Sequence, residues 1–381
     1  MGRQYLQDGL AALRAGNAAQ AERLLEMAIA RENHGAAAWL ALAFSRVHLD
    51  RPGDALAAVD RALELEPRNL RALVFKADHL TRLGRERAAV GFYQAALQVG
   101  AGQQGLPPDV GAALARARVA CEQASARYEE QVLAGLSARG YRPGELPRFA
   151  ESLDIAFGKS PVQLQQPTRY YFPGLPQRTF YERAEFDWVP ALEAATTAIR
   201  EEVLALEREG GQFQPYLEKN RDIPALNHSA NLDSQDWGAC YLWREGEPME
   251  AVQRRCPKTV EALSRVPLCT VPGQMPSVLF SRLARGARIE PHHGAVNTRL
   301  ICHLPLVVPE RCGALRVGNQ QRFWREGELL IFDDSMEHEA WNTGDLPRIV
   351  LLFDIWRPEL SPAERERVAD LLAVVSARER A

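Results

Sequence analysis

Lysine is scarce in this chain. Lys76, Lys159, Lys219 and Lys258 are four of 46 basic residues, and 49 acidic residues leave a formal charge of −3. So close a balance excludes a broadly cationic nucleic-acid binder, though not a local basic patch. No run reaches 18 consecutive apolar residues, so no membrane-spanning helix is expected. The first residues, MGRQYLQDGLAALRAGN, lack an apolar stretch followed by a cleavage site, and no secretory leader is expected in them. The six cysteines, at 121, 240, 256, 269, 302 and 312, stand singly with no CxxC pair. That spacing argues against a zinc or disulfide framework and predicts reduced thiols in a cytoplasmic protein. What remains is ordinary globular material, 46% hydrophobic and 25% charged over 381 residues. At about 100–200 residues per domain, several domains are expected.

Written at a period of 34, the first hundred residues fall into three rows. Gly9, Ala43 and Ala77 share one column, Ala21, Ala55 and Ala89 a second, and Ala28, Ala62 and Ala96 a third. Gly16, Asp50 and Gly84 share the turn column, and Pro67 closes the second row. Small residues at fixed positions let paired helices approach, while Leu25, Val59 and Tyr93 fill the space between pairs. The pattern resembles tetratricopeptide repeats over about residues 2–103. That resemblance implies a curved helical array with a concave, peptide-binding face. So short an array needs a cap, and 109–136 reads as one long helix after the turn-rich GAGQQGLPP. Repeats plus cap make a first domain over 1–136, and 137–170, with several Pro and Gly and no sustained period, reads as a linker.

The period changes in the second half. WVPALEAATTAIREEVLALERE reads as an amphipathic helix and KTVEALSRV as a shorter one. After Pro276 come about eight short strand-like segments, SVLFSRL, RIEPHH, RLICHLPLVV, ALRVG, RFW, ELLIFDD, HEAWN and RIVLLFDIW, with glycine-bearing turns between them. So many edges must be paired or closed, which predicts a sandwich or jelly roll. The chain then turns helical over 361–381, with Ser361 as N-cap, Pro362 at N1 and Glu364 completing a capping box.

Histidines stand at 34, 48, 79, 228, 292, 293, 303 and 338. His292 ends one predicted strand and His338 begins another, 46 residues later. Two histidines and one carboxylate form the common open site for non-haem iron. On a strand the carboxylate sharing the metal with His292 belongs two residues on, where side chains point the same way. Gly294 stands there. His293 alternates away. The residues thus describe a two-histidine site with one protein position empty, to be filled by water or another small ligand. Asp333 and Asp334, just before the second histidine, are read either as orienting an imidazole or as capping a turn.

PHHGAVNTRLICHLPLVVP, RFWREGELLIFDDSMEHEAWN and RIVLLFDIWRPEL, with FPGLP at 172–176 and CYLWREG at 240–246, resemble the aspartyl/asparaginyl beta-hydroxylase family of iron(II)- and 2-oxoglutarate-dependent dioxygenases. The resemblance covers about 170–360. It implies a double-stranded β-helix over 171–360 and iron(II) on His292 and His338. It also implies 2-oxoglutarate held by Trp243, Ser281, His303 and Arg348. The chemistry suits them, since the far carboxylate of a dicarboxylate wants a positive, bidentate partner in a closed pocket. Some relatives carry a second arginine two residues before the family histidine. Ile301 stands there, with Arg299 two positions earlier on the same strand face, and whether Arg299 reaches the pocket stays open. Animal members also carry glycine at the position of Gly294 and are active. Cys256 has no nearby cysteine for the disulfide those members form.

The resulting expectation is a hydroxylase of an Asp- or Asn-type residue in a peptide or protein, with the repeats presenting the substrate and with no nucleic-acid or membrane partner. Two other readings stay beside it. One is oxidation of a small or carrier-bound amino acid, with the repeats docking a protein partner, halogenation being a narrower variant. The other is a non-enzymatic adaptor with an inactive barrel.

Overall fold

A computed structural model of the chain describes residues 2–31, 35–210, 213–217 and 232–379; His34, Lys219 and His228 lie outside the described residues. Two compact units divide it, 1–153 and 154–381.

The first unit is helical. Helices α1 (Gly2–Arg14) and α2 (Ala18–Arg31), α3 (Ala36–His48) and α4 (Pro52–Leu65), and α5 (Leu70–Arg82) and α6 (Glu86–Gly100) pack as three successive pairs, and α7 (Pro108–Ser137) packs on α6. The predicted small columns are interior: Gly9, Ala43, Ala77, Ala21, Ala55, Ala89, Ala28, Ala62 and Ala96 are all buried. Gly9 shows why size matters, because a Cβ there would lie 2.9 Å from Leu25 Cγ. The turn column is a backbone requirement. Gly16, Asp50 and Gly84 have φ of +77°, +55° and +70°. In each turn the next residue's N–H returns to a carbonyl five residues back, Asn17 to Ala12, Arg51 to Arg46 and Arg85 to Leu80, each at 2.9 Å. This left-handed helix stop favours Gly, and Asp tolerates it.

The expected linker, 137–170, is not featureless. It contains α8 (Pro147–Ala156), and its last residues belong to the second unit. Gln166 N donates to Ser335 O at 2.7 Å, Thr168 N to Gly294 O at 2.9 Å, and Arg169 N to Ala295 O at 2.9 Å. The long helix expected near 190–209 is two helices, α9 (Val189–Ala194) and α10 (Thr196–Glu209), with the Thr196 hydroxyl turned back on Glu193 O at the break. Helices α11 (Glu250–Gln253), α12 (Pro257–Leu263) and α13 (Pro362–Glu379) also belong to this unit. Ser361 and Glu364 form the predicted reciprocal cap of α13.

The strands of the second unit are β1 (Phe180–Tyr181), β2 (Gln214–Pro215), β3 (Trp237–Arg244), β4 (Glu247–Pro248), β5 (Val278–Leu283), β6 (Arg288–His292), β7 (Arg299–Val307), β8 (Leu315–Val317), β9 (Gln320–Arg322), β10 (Leu330–Phe332), β11 (His338–Trp341) and β12 (Arg348–Trp356). They form two antiparallel sheets. The larger runs β1-β10-β7-β12-β5-β3-β2, with β4 on β3, and the smaller runs β6-β11-β8-β9. Alternation sorts the larger sheet into two faces. Val278, Phe280, Leu300, Cys302, Leu304, Ile331, Ile349, Leu351 and Phe353 pack with Leu192, Ile199, Val203 and Leu206 of α9 and α10. Leu283, Ile301, Leu330, Phe332 and Val350 pack on the other face with Ile289, Leu315, Val317 and Ala340 of the smaller sheet. The functional side chains lie on this second face.

Candidate functional site

A cavity of about 610 Å³ lies between the two sheets, and its wall includes Ser281, His292, His303, His338 and Arg348. Five of the six residues assigned to the site from the sequence therefore converge.

The smaller sheet supplies the histidines. His338 on β11 stands directly opposite His292 on β6 in register, and their ring centroids lie 4.1 Å apart. Each ring binds its own chain in the same way. His292 Nδ1 lies 2.8 Å from Glu290 O, and His338 Nδ1 lies 3.0 Å from Met336 O. A carbonyl accepts, so Nδ1 carries the proton and Nε2 is left with its lone pair, the second-sphere arrangement typical of metal-binding imidazoles. Burial, and then the neighbouring His292, pull His338 down to about 4, which keeps it neutral and able to ligate. His293 does not line the cavity, as alternation predicts. Among the described residues no group of three His, Cys, Asp or Glu side chains is poised to hold a metal. A metal here would rest on the histidine pair.

The glycine at the third position has a local cause. A Cβ on Gly294 would lie 2.2 Å from Asp334 Oδ2. Asp334 fills that volume itself. Arg299 Nη2 donates to Asp334 Oδ2 at 3.1 Å while Arg299 Nη1 donates to Asp354 Oδ2 at 2.8 Å. Asp334 Oδ1 is buried and has no partner among the described residues. Arg299 thus does reach the cavity wall, with Nη1 and Nη2 on carboxylates and Nε buried without a partner among the described residues. The neighbouring Asp333 turns the other way. It pairs with Arg357 at 2.7 Å, both side chains fully buried, and accepts from Gln165 and Ser335. Asp333 fastens the loop that carries Asp334 and Met336, a structural role instead of contact with an imidazole.

The larger sheet supplies a different chemistry. Arg348 begins β12 with 1% of its surface exposed. Its guanidinium lies over the Trp324 ring at 4.6 Å, and Nε and Nη1 have no hydrogen-bond partner among the described residues. Burial pulls its pKa down to about 10. His303 is buried beside Phe332, its Nδ1 also without a partner, and burial together with Arg348 holds it neutral. Ser281 accepts from Trp237 Nε1 at 3.2 Å. An unpaired buried cation is costly. The unsatisfied donors of Arg348, with Ser281 and His303 nearby on the same wall, fit a carboxylate from a ligand. The paired Nε2 positions fit a metal.

Trp243 is the exception. It packs with the core on the helix-covered face of the larger sheet and does not line the cavity. The reason is register: Trp243 pairs with Val278, whose side chain faces that core, and a bulge separates it from Tyr241. The tryptophan that meets Ser281 is Trp237, stacked on Tyr216 at 3.9 Å. Trp237 was not singled out from the sequence, and Asp334 was read only with Asp333, as orienting an imidazole or capping a turn. Strand β3 carried no clear alternation, and Asp334 takes its place through a loop.

The sequence profile described as aspartyl/asparaginyl beta-hydroxylase matches residues 193–358. The ornithine lipid ester-linked acyl 2-hydroxylase of Rhizobium tropici is 33% identical, over 58% of this chain and 73% of its own. The chain belongs to the aspartyl/asparaginyl beta-hydroxylase family. The human aspartyl/asparaginyl beta-hydroxylase is 32% identical over 52% of this chain, but the match spans only 26% of the human protein. Human aspartate beta-hydroxylase domain-containing protein 2 is 30% identical over 55% of this chain and 56% of its own length. The family's matched segment runs from the end of α9 to just beyond β12 and contains every residue of the cavity wall. The first 153 residues, the helical unit, lie outside that segment.

Proposed function

We propose that this member of the beta-hydroxylase family is an iron(II)- and 2-oxoglutarate-dependent hydroxylase. The two-sheet unit is read as a double-stranded β-helix, with the cavity between its sheets as the active site. The observation that carries the proposal is the pairing of two Nε2-presenting histidines on one sheet with a buried guanidinium on the other whose Nε and Nη1 have no partner among the described residues. His292 and His338 would hold the metal. Arg348 would bind the far carboxylate of 2-oxoglutarate, with Ser281 and His303 beside it. Bound together, iron and 2-oxoglutarate supply the oxidising power for a C–H bond. The balance is substrate C–H plus 2-oxoglutarate plus dioxygen to C–OH plus succinate plus carbon dioxide. The protein's part is positional. The carbonyls of Glu290 and Met336 fix the imidazole tautomer, Arg299 and Asp354 hold Asp334 in the space beside Gly294, and aliphatic walls exclude water.

For the helical unit we propose a peptide or protein partner. A second cavity of about 540 Å³ is lined there by Leu10, Leu13, Leu40, Phe44 and Leu70, with Arg68 and Asn69 at its edge.

The test is oxygen-dependent conversion of 2-oxoglutarate to succinate by the purified full chain, with and without iron(II). Turnover that requires iron and falls to background in His338→Ala supports the proposal. Failure of the iron-loaded wild type to bind or turn over 2-oxoglutarate overturns it.

A further inference from the structure

The stack of Arg348 on Trp324 separates two hollows of the second unit. Arg348 lines the cavity between the sheets and does not line a more open groove of about 440 Å³, whose wall includes Val308, Cys312, Phe323, Trp324 and Trp341. Trp324 lines that groove and does not line the cavity. The guanidinium carbon lies 4.6 Å from the centre of the indole, so the partition is one layer of each side chain. On the groove side Phe323 is 64% exposed, whereas Trp324 beside it is 4% exposed.

Trp324 Nε1 is buried with no partner among the described residues. An unmet buried donor is destabilising, and phenylalanine would fill much of the same space without one. What the indole adds is its face, which of the aromatic side chains attracts a cation most strongly, above all where water is excluded. Arg178, Arg322 and Arg357 also lie over rings, but each is paired in addition with a carboxylate of the fold, Glu185, Glu182 and Asp333. Arg348 has the ring, while its Nε and Nη1 have no partner among the described residues.

We propose that Trp324 is a positioning residue: its face holds the Arg348 guanidinium at one depth, and that depth selects a dicarboxylate of the length of 2-oxoglutarate over a longer homologue. This rests on the reading that Arg348 meets the far carboxylate of 2-oxoglutarate. With the indole in place the guanidinium cannot recede toward the groove, so a diacid longer by one methylene must buckle or displace it. Without a ring face behind it the guanidinium is free to shift. The carboxylate of 2-oxoglutarate then loses a preorganised partner, and the longer acid gains room.

The experiment uses full-length wild type, Trp324→Phe and Trp324→Leu, each loaded with manganese(II). Each is titrated in a calorimeter with 2-oxoglutarate and with 2-oxoadipate, its homologue longer by one methylene. Phenylalanine keeps a ring face and leucine fills space without one, so a merely space-filling role treats the two variants alike. Wild type is expected to prefer 2-oxoglutarate by at least about tenfold, and Trp324→Phe to stay within about threefold of wild type in affinity and preference. Trp324→Leu is expected to lose about tenfold in 2-oxoglutarate affinity and about tenfold in preference, with manganese affinity unchanged. Like behaviour of the two variants, an unchanged preference in Trp324→Leu, an equal loss of manganese affinity there, or a wild type without the stated preference overturns the inference. If Trp324→Leu does not fold, Trp324→Met, also without a ring face, takes its place under the same expectations. Failure of wild type to bind 2-oxoglutarate at all overturns the proposed function as well. Normal wild-type binding of 2-oxoglutarate followed by any of the contrary results overturns the role of Trp324 alone.

Discussion

Two arginines bracket β12, and both are buried. Arg357, just past its end, is fully enclosed, with donors on Asp333, the Tyr181 hydroxyl, Asn297 O and Pro176 O. Arg348, at its start, is enclosed to the same degree with Nε and Nη1 unsatisfied among the described residues. One strand is thus bracketed by a cation whose partners are built into the fold and another with donors left without partners among the described residues. The contrast separates structure from function more sharply than burial does, since burial alone would rank the two together. A satisfied buried cation is accounted for by the fold, whereas one with unsatisfied donors calls for another explanation, here the proposed carboxylate of a ligand.

The comparison predicts opposite responses to one substitution. Arg357→Met should strand Asp333 without its cation and lower unfolding stability by about 3–5 kcal/mol, read by denaturant melting. A loss under about 1 kcal/mol would mean that the Asp333 network is not what fastens the 333–336 loop. The histidine pair sharpens the contrast from the smaller sheet. His292→Ala and His338→Ala should each weaken metal binding by more than ~100-fold, measured by calorimetry, while His293→Ala leaves it within about twofold. Strong metal binding by His292→Ala but not by His293→Ala would move the ligand by one residue. Arg348→Met, by contrast with Arg357→Met, should stabilise the ligand-free protein by about 1–3 kcal/mol, because it removes unsatisfied buried donors. A marked destabilisation would reveal an internal partner. Ser281→Ala should have the smallest effect, about 0.5–1.5 kcal/mol in 2-oxoglutarate binding, the worth of one neutral hydrogen bond.

Much of this is legible in the amino-acid sequence. The helical array followed from residues whose neighbours in space are fixed by local geometry: alanine columns between paired helices, and Gly16, Asp50 and Gly84 where the backbone turns left-handed. Eight strands after Pro276 were legible for the same reason, as alternation writes a half-buried strand into the sequence, and eight are present from β5 to β12. His292, Ser281, His303, His338 and Arg348 meet in the cavity because each lies on one of those strands. What escaped was long-range. Strand β3 lies about 34 residues before the strand it pairs with, β5, and carries mostly buried residues on both faces, so its parity was unreadable. The family resemblance implied Trp243, which packs on the helix-covered face, whereas Trp237 of the same strand lines the cavity. Asp334 fills the space beside Gly294 only because Arg299 and Asp354, on two other strands, hold it there. No spacing within FDDS could separate its role from that of Asp333, which the distant Arg357 decides.

The central claim is that the partner missing from Arg348 is a carboxylate of 2-oxoglutarate. It is tested by titrating 2-oxoglutarate into manganese(II)-loaded wild type and Arg348→Met, with metal binding measured in parallel. The account predicts unchanged metal affinity and 2-oxoglutarate binding weakened by roughly 1.5–3 kcal/mol, about ten- to hundredfold, in the variant. Equal 2-oxoglutarate affinity in the two proteins would contradict it.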